Sequence, residues 1–262
     1  MTTFAAGQLK GKVAFVAGGT SGINLGIAKG FAAQGAKVAV LGRNPEKAAS
    51  AAALIDPAGA NAIGIAADVR DFAAVDAAFK QTVERFGPID IVISGAAGNF
   101  VAPALSISSN GFKTVVDIDL VGTFHVFRAC YAYLQRPGAS LIAITAGQAT
   151  HPHRGQAHVC AAKAGINMLV KCLAMEWGAD GVRVNGISPG PIDGTEGMAR
   201  LTPTPEKTAA LIAKIPLGRY GRIPEIADMA LFLSSESAGY ITGTILDCDG
   251  GGQLLSTSGE LG

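Results

Sequence analysis

The chain has 262 residues, of which 49% are hydrophobic and 16% charged, proportions that suit one soluble domain with a substantial core. A net charge of +1 gives no broad basic field, so neither nucleic acid nor a membrane surface is an expected partner. The four cysteines show no CxxC or metal-like spacing, which predicts reduced thiols in a cytosolic setting and no metal site.

The opening "MTTFAAGQLKGK" lacks the apolar core of a signal peptide. No apolar run of bilayer length is expected, and the closing "GELG" is not an SKL-type address. The predicted location is therefore the cytoplasm. In chain order, "KVAFVAG" predicts a strand and Gly22 to Gln34 a helix. "AKVAVLG" and "AIGIAADV" predict strands around the helix "PEKAASAAALI". "IDIVISG" follows the helix "DFAAVDAAFKQTVERFG", and "SLIAIT" and "VRVNGIS" each lie beside a long helix before "GTILDCDGG" closes the series. Strand and helix alternating at this spacing predict a parallel sheet with helices on both faces. No composition break divides residues 1–262, so a single domain is expected. The irregular stretch at about 191–217 reads as a small helical lid over the C-terminal edge of the sheet.

"VAGGTSGINLG" links the first strand to the first helix. Glycines at 18 and 22 let the backbone approach a pyrophosphate, whose charge suits a helix N-terminus. Gly18, Thr20, Ser21, Gly22 and Ile23 are accordingly assigned to a nucleotide cofactor. Asn24 departs from the pattern, standing where a third glycine is expected, and Gly26 faces another side of the helix. At the end of the second strand, "VLGRN" offers Arg43 and Asn44 and no acid. A guanidinium forks onto a ribose 2′-phosphate that a carboxylate would repel, so NADP(H) is the expected cofactor.

With "AADV", "AAKAG", "RVNGISPG" and "DCDGG" added, the chain resembles the short-chain dehydrogenase/reductase family along nearly its whole length. The resemblance implies a Rossmann-type doubly wound α/β fold in a homodimer or homotetramer. It further implies that Asp68 and Val69 hold the adenine, and that Ala97 and Gly98 line the ribose. Pro189, Gly190, Ile192 and Thr195 would meet the nicotinamide end, and Lys163 its ribose. The family's usual catalytic Asn, Ser, Tyr and Lys survive here only as the lysine. The other three positions are Asp119, Ala146 and Val159, so the proton exchange that ketone reduction needs has no hydroxyl to run on.

"GAAGNF", "FKTVVDID", "GTFHV", "QAHVCAAKAG", "LAMEWG" and "PGPIDGTEG" narrow the resemblance to the 2,4-dienoyl-CoA reductases, the peroxisomal type above all. Those proteins also lack the tyrosine and carry Asp with Lys. The tyrosine of the mitochondrial type falls near Gln148, which disfavours that variant, and Ser94 replaces a common Asn. The resemblance assigns catalysis to Asp119 and Lys163, with His158 either a contact to the thioester or water, or a packed core histidine. Asn99 and Phe100 are expected on the acyl chain. Arg200 is expected either on the phosphates of an acyl-CoA substrate or simply on the surface. His151 and His153 read as loop residues, since no third metal ligand accompanies them. Two other readings remain open: a carbonyl reductase whose proton comes from His158 or water, and an NADP-binding protein without catalysis.

Overall fold

The computed structural model describes residues 4–254; the "GELG" terminus lies outside the described residues. Seven strands form one parallel sheet in the order β3-β2-β1-β4-β5-β6-β7. They span Val13–Ala17 (β1), Lys37–Gly42 (β2), Ala62–Ala66 (β3), Ile91–Ser94 (β4), Ser140–Ile144 (β5), Arg183–Pro189 (β6) and Ile245–Cys248 (β7). The inner strands β1, β4 and β5 are buried at every position, the condition under which apolar runs rather than alternation mark a parallel strand.

Side chains leave β1 in alternation. Val13, Phe15 and Ala17 enter one apolar layer with Phe79, Phe127, Ile166 and Val170. Ala14 and Val16 enter the other with Ile27, Phe31, Ile226 and Leu231. The first layer is roofed by α3 (Phe72–Phe86), α5 (Gly122–Cys130) and α6 (Ala157–Trp177), while α1 (Gly22–Ala33), α2 (Pro45–Ile55) and α9 (Ile223–Ser234) cover the second. In the first layer the rings of Phe15 and Phe79 stack with centroids 4.0 Å apart.

Local chemistry sets the helix ends. Asn44 accepts from Lys47 N at 2.7 Å to start α2, with proline at its first position. Asp71 accepts from Ala74 N at 3.1 Å to start α3, and Gly87 ends that helix at a φ of 94°. The helix α4 (Ser109–Val116) runs into α5 through a π-turn at Asp117–Val121. The expected lid resolves into two short helices, α7 (Glu196–Leu201) and α8 (Pro205–Ile212). One expectation fails. Ala157–Asp180 is long and apolar enough, by length and composition, to cross a bilayer, yet it packs against β6 and the π-turn as a core helix. Its inner face is apolar because the sheet and neighbouring helices bury it.

The strand order reverses between β1 and β4, so the crevice beyond their C-terminal ends is the place for a ligand in such a sheet. Close approaches elsewhere depend on glycine. A Cβ on Gly64 of β3 would run into the carbonyl of Ala48 in α2. Gly64→Ala should therefore lower unfolding free energy by about 1–3 kcal/mol, measured by urea denaturation; an unchanged midpoint would show that α2 yields without cost.

Candidate active site

The turn after β1 meets the exit of β4. Gly18 and Gly22 take positive φ of 76° and 55°, a region that side chains disfavour. A Cβ on Gly18 would stand 2.7 Å from Ala96 N. Ser21 is the N-cap of α1 and makes no side-chain cap bond, so the first amides of the helix have no intrahelical acceptor. Such amides and such a bare turn fit a pyrophosphate.

Among the residues expected at the adenosine, Arg43 is exposed just past β2, beside β3 through the bond Ala67 N to Gly42 O at 3.1 Å. Asn44, expected at the cofactor, has its oxygen committed to capping α2. The Asp68 carboxylate is likewise engaged, since Arg70 donates to it from Nη2 at 2.6 Å and Nε at 3.0 Å. The Arg70 hydrogen bond holds the Asp68 carboxyl below its ordinary value, with a smaller pull from Arg43. Sequence reasoning passed over Arg70; the acid and base two residues apart in "ADVRD" were the available signal. Val69 is buried against Gly122, and its carbonyl is bonded to His125 Nδ1 at 2.9 Å.

The π-turn, the β4 exit and α6 converge on the residues expected to carry the chemistry. Asp119 is fully buried in the π-turn, a distortion that commonly marks functional sites because it rotates one residue relative to the helix. Its Oδ1 accepts from Gly98 N at 2.7 Å. Its Oδ2 lies 3.3 Å from Lys163 Nζ, an ion pair that falls short of hydrogen-bond geometry and leaves Oδ2 without a donor. Lys163, buried on α6, donates to Ile144 O at 3.1 Å. Burial raises the Asp119 carboxyl above its ordinary value, opposed by the Lys163 charge, the Gly98 amide and His158. Ser94 Oγ donates to Thr123 Oγ1 at 3.1 Å, which donates to Asp119 O at 2.7 Å. The serine thus braces the π-turn across β4.

His158 is fully buried, and among the described residues neither ring nitrogen has a hydrogen-bond partner. Phe100 lies over it with ring centroids 4.2 Å apart. Asn99 accepts from Gln156 at 3.3 Å, and Gln156 accepts from Gln148 at 3.2 Å. Val159 is buried, and no hydroxyl stands at it or at Ala146. Pro189 ends β6, and Gly190 N bonds to Cys248 O at 3.0 Å. Thr195 caps α7 through Met198 N, and Ile192 is buried against Gly221. Arg200 is 73% exposed and paired with Glu196 at 3.1 Å. It stands on the exposed face of α7. Among the described residues no cluster of three His, Cys, Asp or Glu side chains forms a metal site.

A seven-stranded parallel sheet, a glycine turn at its crossover and a buried lysine on the sixth helix define a nicotinamide-dependent oxidoreductase fold. A family model described as enoyl-(acyl carrier protein) reductase matches residues 17–253, and the chain belongs to the short-chain dehydrogenase/reductase family. It is 44% identical to the (3E)-enoyl-CoA-producing peroxisomal 2,4-dienoyl-CoA reductase of Saccharomyces cerevisiae, over 95% of this chain and 86% of that one. The protein of the same description from Danio rerio is 42% identical over 95% and 84%. Among solved structures, a short chain dehydrogenase from Bacillus anthracis superposes with a TM-score of 0.86 at 37% identity, covering 96% of this chain and 100% of that one. The peroxisomal naming of these relatives overturns the cytoplasmic expectation. Charge and composition describe a soluble surface and do not distinguish one aqueous compartment from another.

A carboxyl whose folded-state value is raised binds its proton more tightly folded than unfolded. Its protonation therefore favours the fold below the unfolded value, and that contribution is lost as pH rises through the folded value. In difference infrared spectra of wild type minus Asp119→Asn, the Asp119 carboxylate band should appear only above the ordinary 3.8; titration at or below it would remove the assigned desolvation.

Proposed function

We propose that this protein reduces 2,4-dienoyl-CoA thioesters to (3E)-enoyl-CoA with NADPH. The observation that carries the reading is a buried Asp119–Lys163 pair at 3.3 Å in a site whose usual hydroxyl positions are Val159 and Ala146. The names of the 44% and 42% identical relatives support the same substrate.

The electronic demand matches the residues. When bound, NADPH supplies a hydride to the far carbon of the diene. The electron pair moves through the conjugated chain onto the thioester oxygen, and the resulting dienolate takes a proton at the carbon next to the carbonyl. The protein has to stabilise the oxyanion and position an acid for carbon. A water hydrogen-bonded to both Asp119 and Lys163 serves as that acid, and the lysine charge favours its proton release. His158, with both nitrogens unpartnered, contacts the thioester once Phe100 has moved aside. Gly18, Ile23, Ala97, Gly98 and Lys163 hold the dinucleotide, Arg43 its 2′-phosphate, and Asn99 and Phe100 the acyl chain. Ketone reduction is the weaker reading, because its proton must reach oxygen and no hydroxyl stands at the two positions that normally deliver it.

Purified protein should consume NADPH and a dienoyl-CoA in equal amounts. No turnover across short and long chains would defeat the reading. Lys163→Met should cut kcat by roughly 10²–10⁴-fold with native circular dichroism, and Arg43→Ala should erase a preference for NADPH over NADH.

The protein further associates with itself. Along α6, Ala157, Ala161 and Ala164 are exposed, with Met168 and Met175 60% and 80% exposed. This small and methionine-rich stripe fits a second copy of the same helix. Met168→Glu with Met175→Glu should reduce the mass measured by light scattering after gel filtration; an unchanged mass places the contact elsewhere.

A further inference from the structure

We propose that Asn24 is a positioning residue of the cofactor site, tying the first turn of α1 to the exit of β4, and that Gly95 is its obligate complement. The inference rests on the reading of the 18–24 turn as a dinucleotide cradle, but not on the substrate.

A glycine at the third position of such a turn lets helix and strand approach closely. Here that position carries a carboxamide, only 9% exposed. The room for it comes from across the crevice. A Cβ on Gly95 would collide with the Oδ1, Nδ2 and Cγ atoms of Asn24, so the missing side chain has been transferred from the helix to the strand exit. The exchange is more than steric. Asn24 Nδ2 donates to Gly95 O at 2.8 Å, while Gly95 N stays in the sheet through Ala17 O at 3.1 Å. That bond fixes the amide's orientation, since turning it over would set oxygen against oxygen. Oδ1 is then left buried and without a hydrogen-bond partner among the described residues. An amide held with one end bonded and the other end dry is a poor choice for filling space alone.

Three residues further on, Gly98 N donates to Asp119 Oδ1 at 2.7 Å. The segment 95–98 therefore carries the Asn24 bond at one end and the Asp119 bond at the other. Through it, the helix terminus assigned to the pyrophosphate and the carboxylate beside Lys163 are linked by two hydrogen bonds and four residues of backbone. Lys163 and His158 of α6 are the titratable groups that face Asp119, and neither changes when Asn24 is replaced.

Asn24→Gly, which restores the three-glycine turn, is the informative variant, with native circular dichroism required before its kinetics are read. NADPH binding followed by fluorescence should weaken about tenfold. In turnover, kcat should fall with KM for the acyl thioester unchanged, and its acid limb should move to higher pH as the Gly98 amide loosens from Asp119. Gly95→Ala should lower the Tm in the wild type and be tolerated in the Asn24→Gly background. Wild-type NADPH affinity together with an unmoved acid limb in Asn24→Gly would overturn the tether. Equal tolerance of Gly95→Ala in both backgrounds would overturn the exchange. If the wild type reduces no dienoyl thioester, the binding and Tm measurements still decide the role of Asn24, so the two failures are separable.

Discussion

Two opposite charges withdrawn from water dominate the architecture of the site. Lys163 and Asp119 are both buried with 3.3 Å between them, and the attraction of such a pair commonly falls short of the cost of desolvating both charges. Each therefore needs an additional polar partner from a different part of the fold. The lysine takes the carbonyl at the end of β5, and the carboxylate takes an amide from the loop after β4. Four segments, the β4 exit, the π-turn, the end of β5 and α6, are thereby held to a common geometry. Apolar residues of similar volume often replace a buried ion pair without loss of stability, which points to function as the reason for keeping the charges.

On the proposed reading, the same pair lets the site work without the absent hydroxyls. A phenol beside a carbonyl oxygen is needed when the proton must arrive where the negative charge collects. In an extended unsaturated thioester the charge collects on oxygen while the proton is delivered to carbon, so stabilisation and protonation are separate tasks. A buried cation beside a carboxylate of raised pKa suits the first and can orient a small acid for the second. Val159 and Ala146 then read as positions relieved of a duty.

Much of the fold was legible because a parallel sheet covered on both faces leaves apolar strands separated by helices of steady length. The stretches read as α2 and α3 match the helices within a residue at each end, and the capping by Asn44 and Asp71 shows why they start where they do. The lysine and aspartate were legible through family resemblance, and the structure brings them together. What escaped the sequence depended on contacts between distant segments or on small local geometry. The π-turn needs the backbone itself. Asp68 was expected on adenine alone, yet Arg70 two residues away occupies its carboxylate. His158 was visible as a residue, but its cover by Phe100, from another loop, was not. The apolarity of α6 has two physical readings in a sequence, a bilayer or a protein interior, and only packing separates them.

Glycine is the residue for which letters and space diverge most. Read as letters, the turn from Gly18 to Asn24 is a damaged motif. Read as space, nothing is missing, because the constraint is the distance between α1 and the exit of β4 rather than the identity of either residue. Gly95 supplies the volume that position 24 no longer supplies. Gly26 illustrates the complementary case: it lies near the motif but serves another contact, admitting Ile223 so that α1 can approach α9. A third glycine had been sought within the helix, whereas the fold requires only that one partner in the pair lack a side chain. Departures from a short motif are therefore best judged against the residue they face, which here lies 71 positions away.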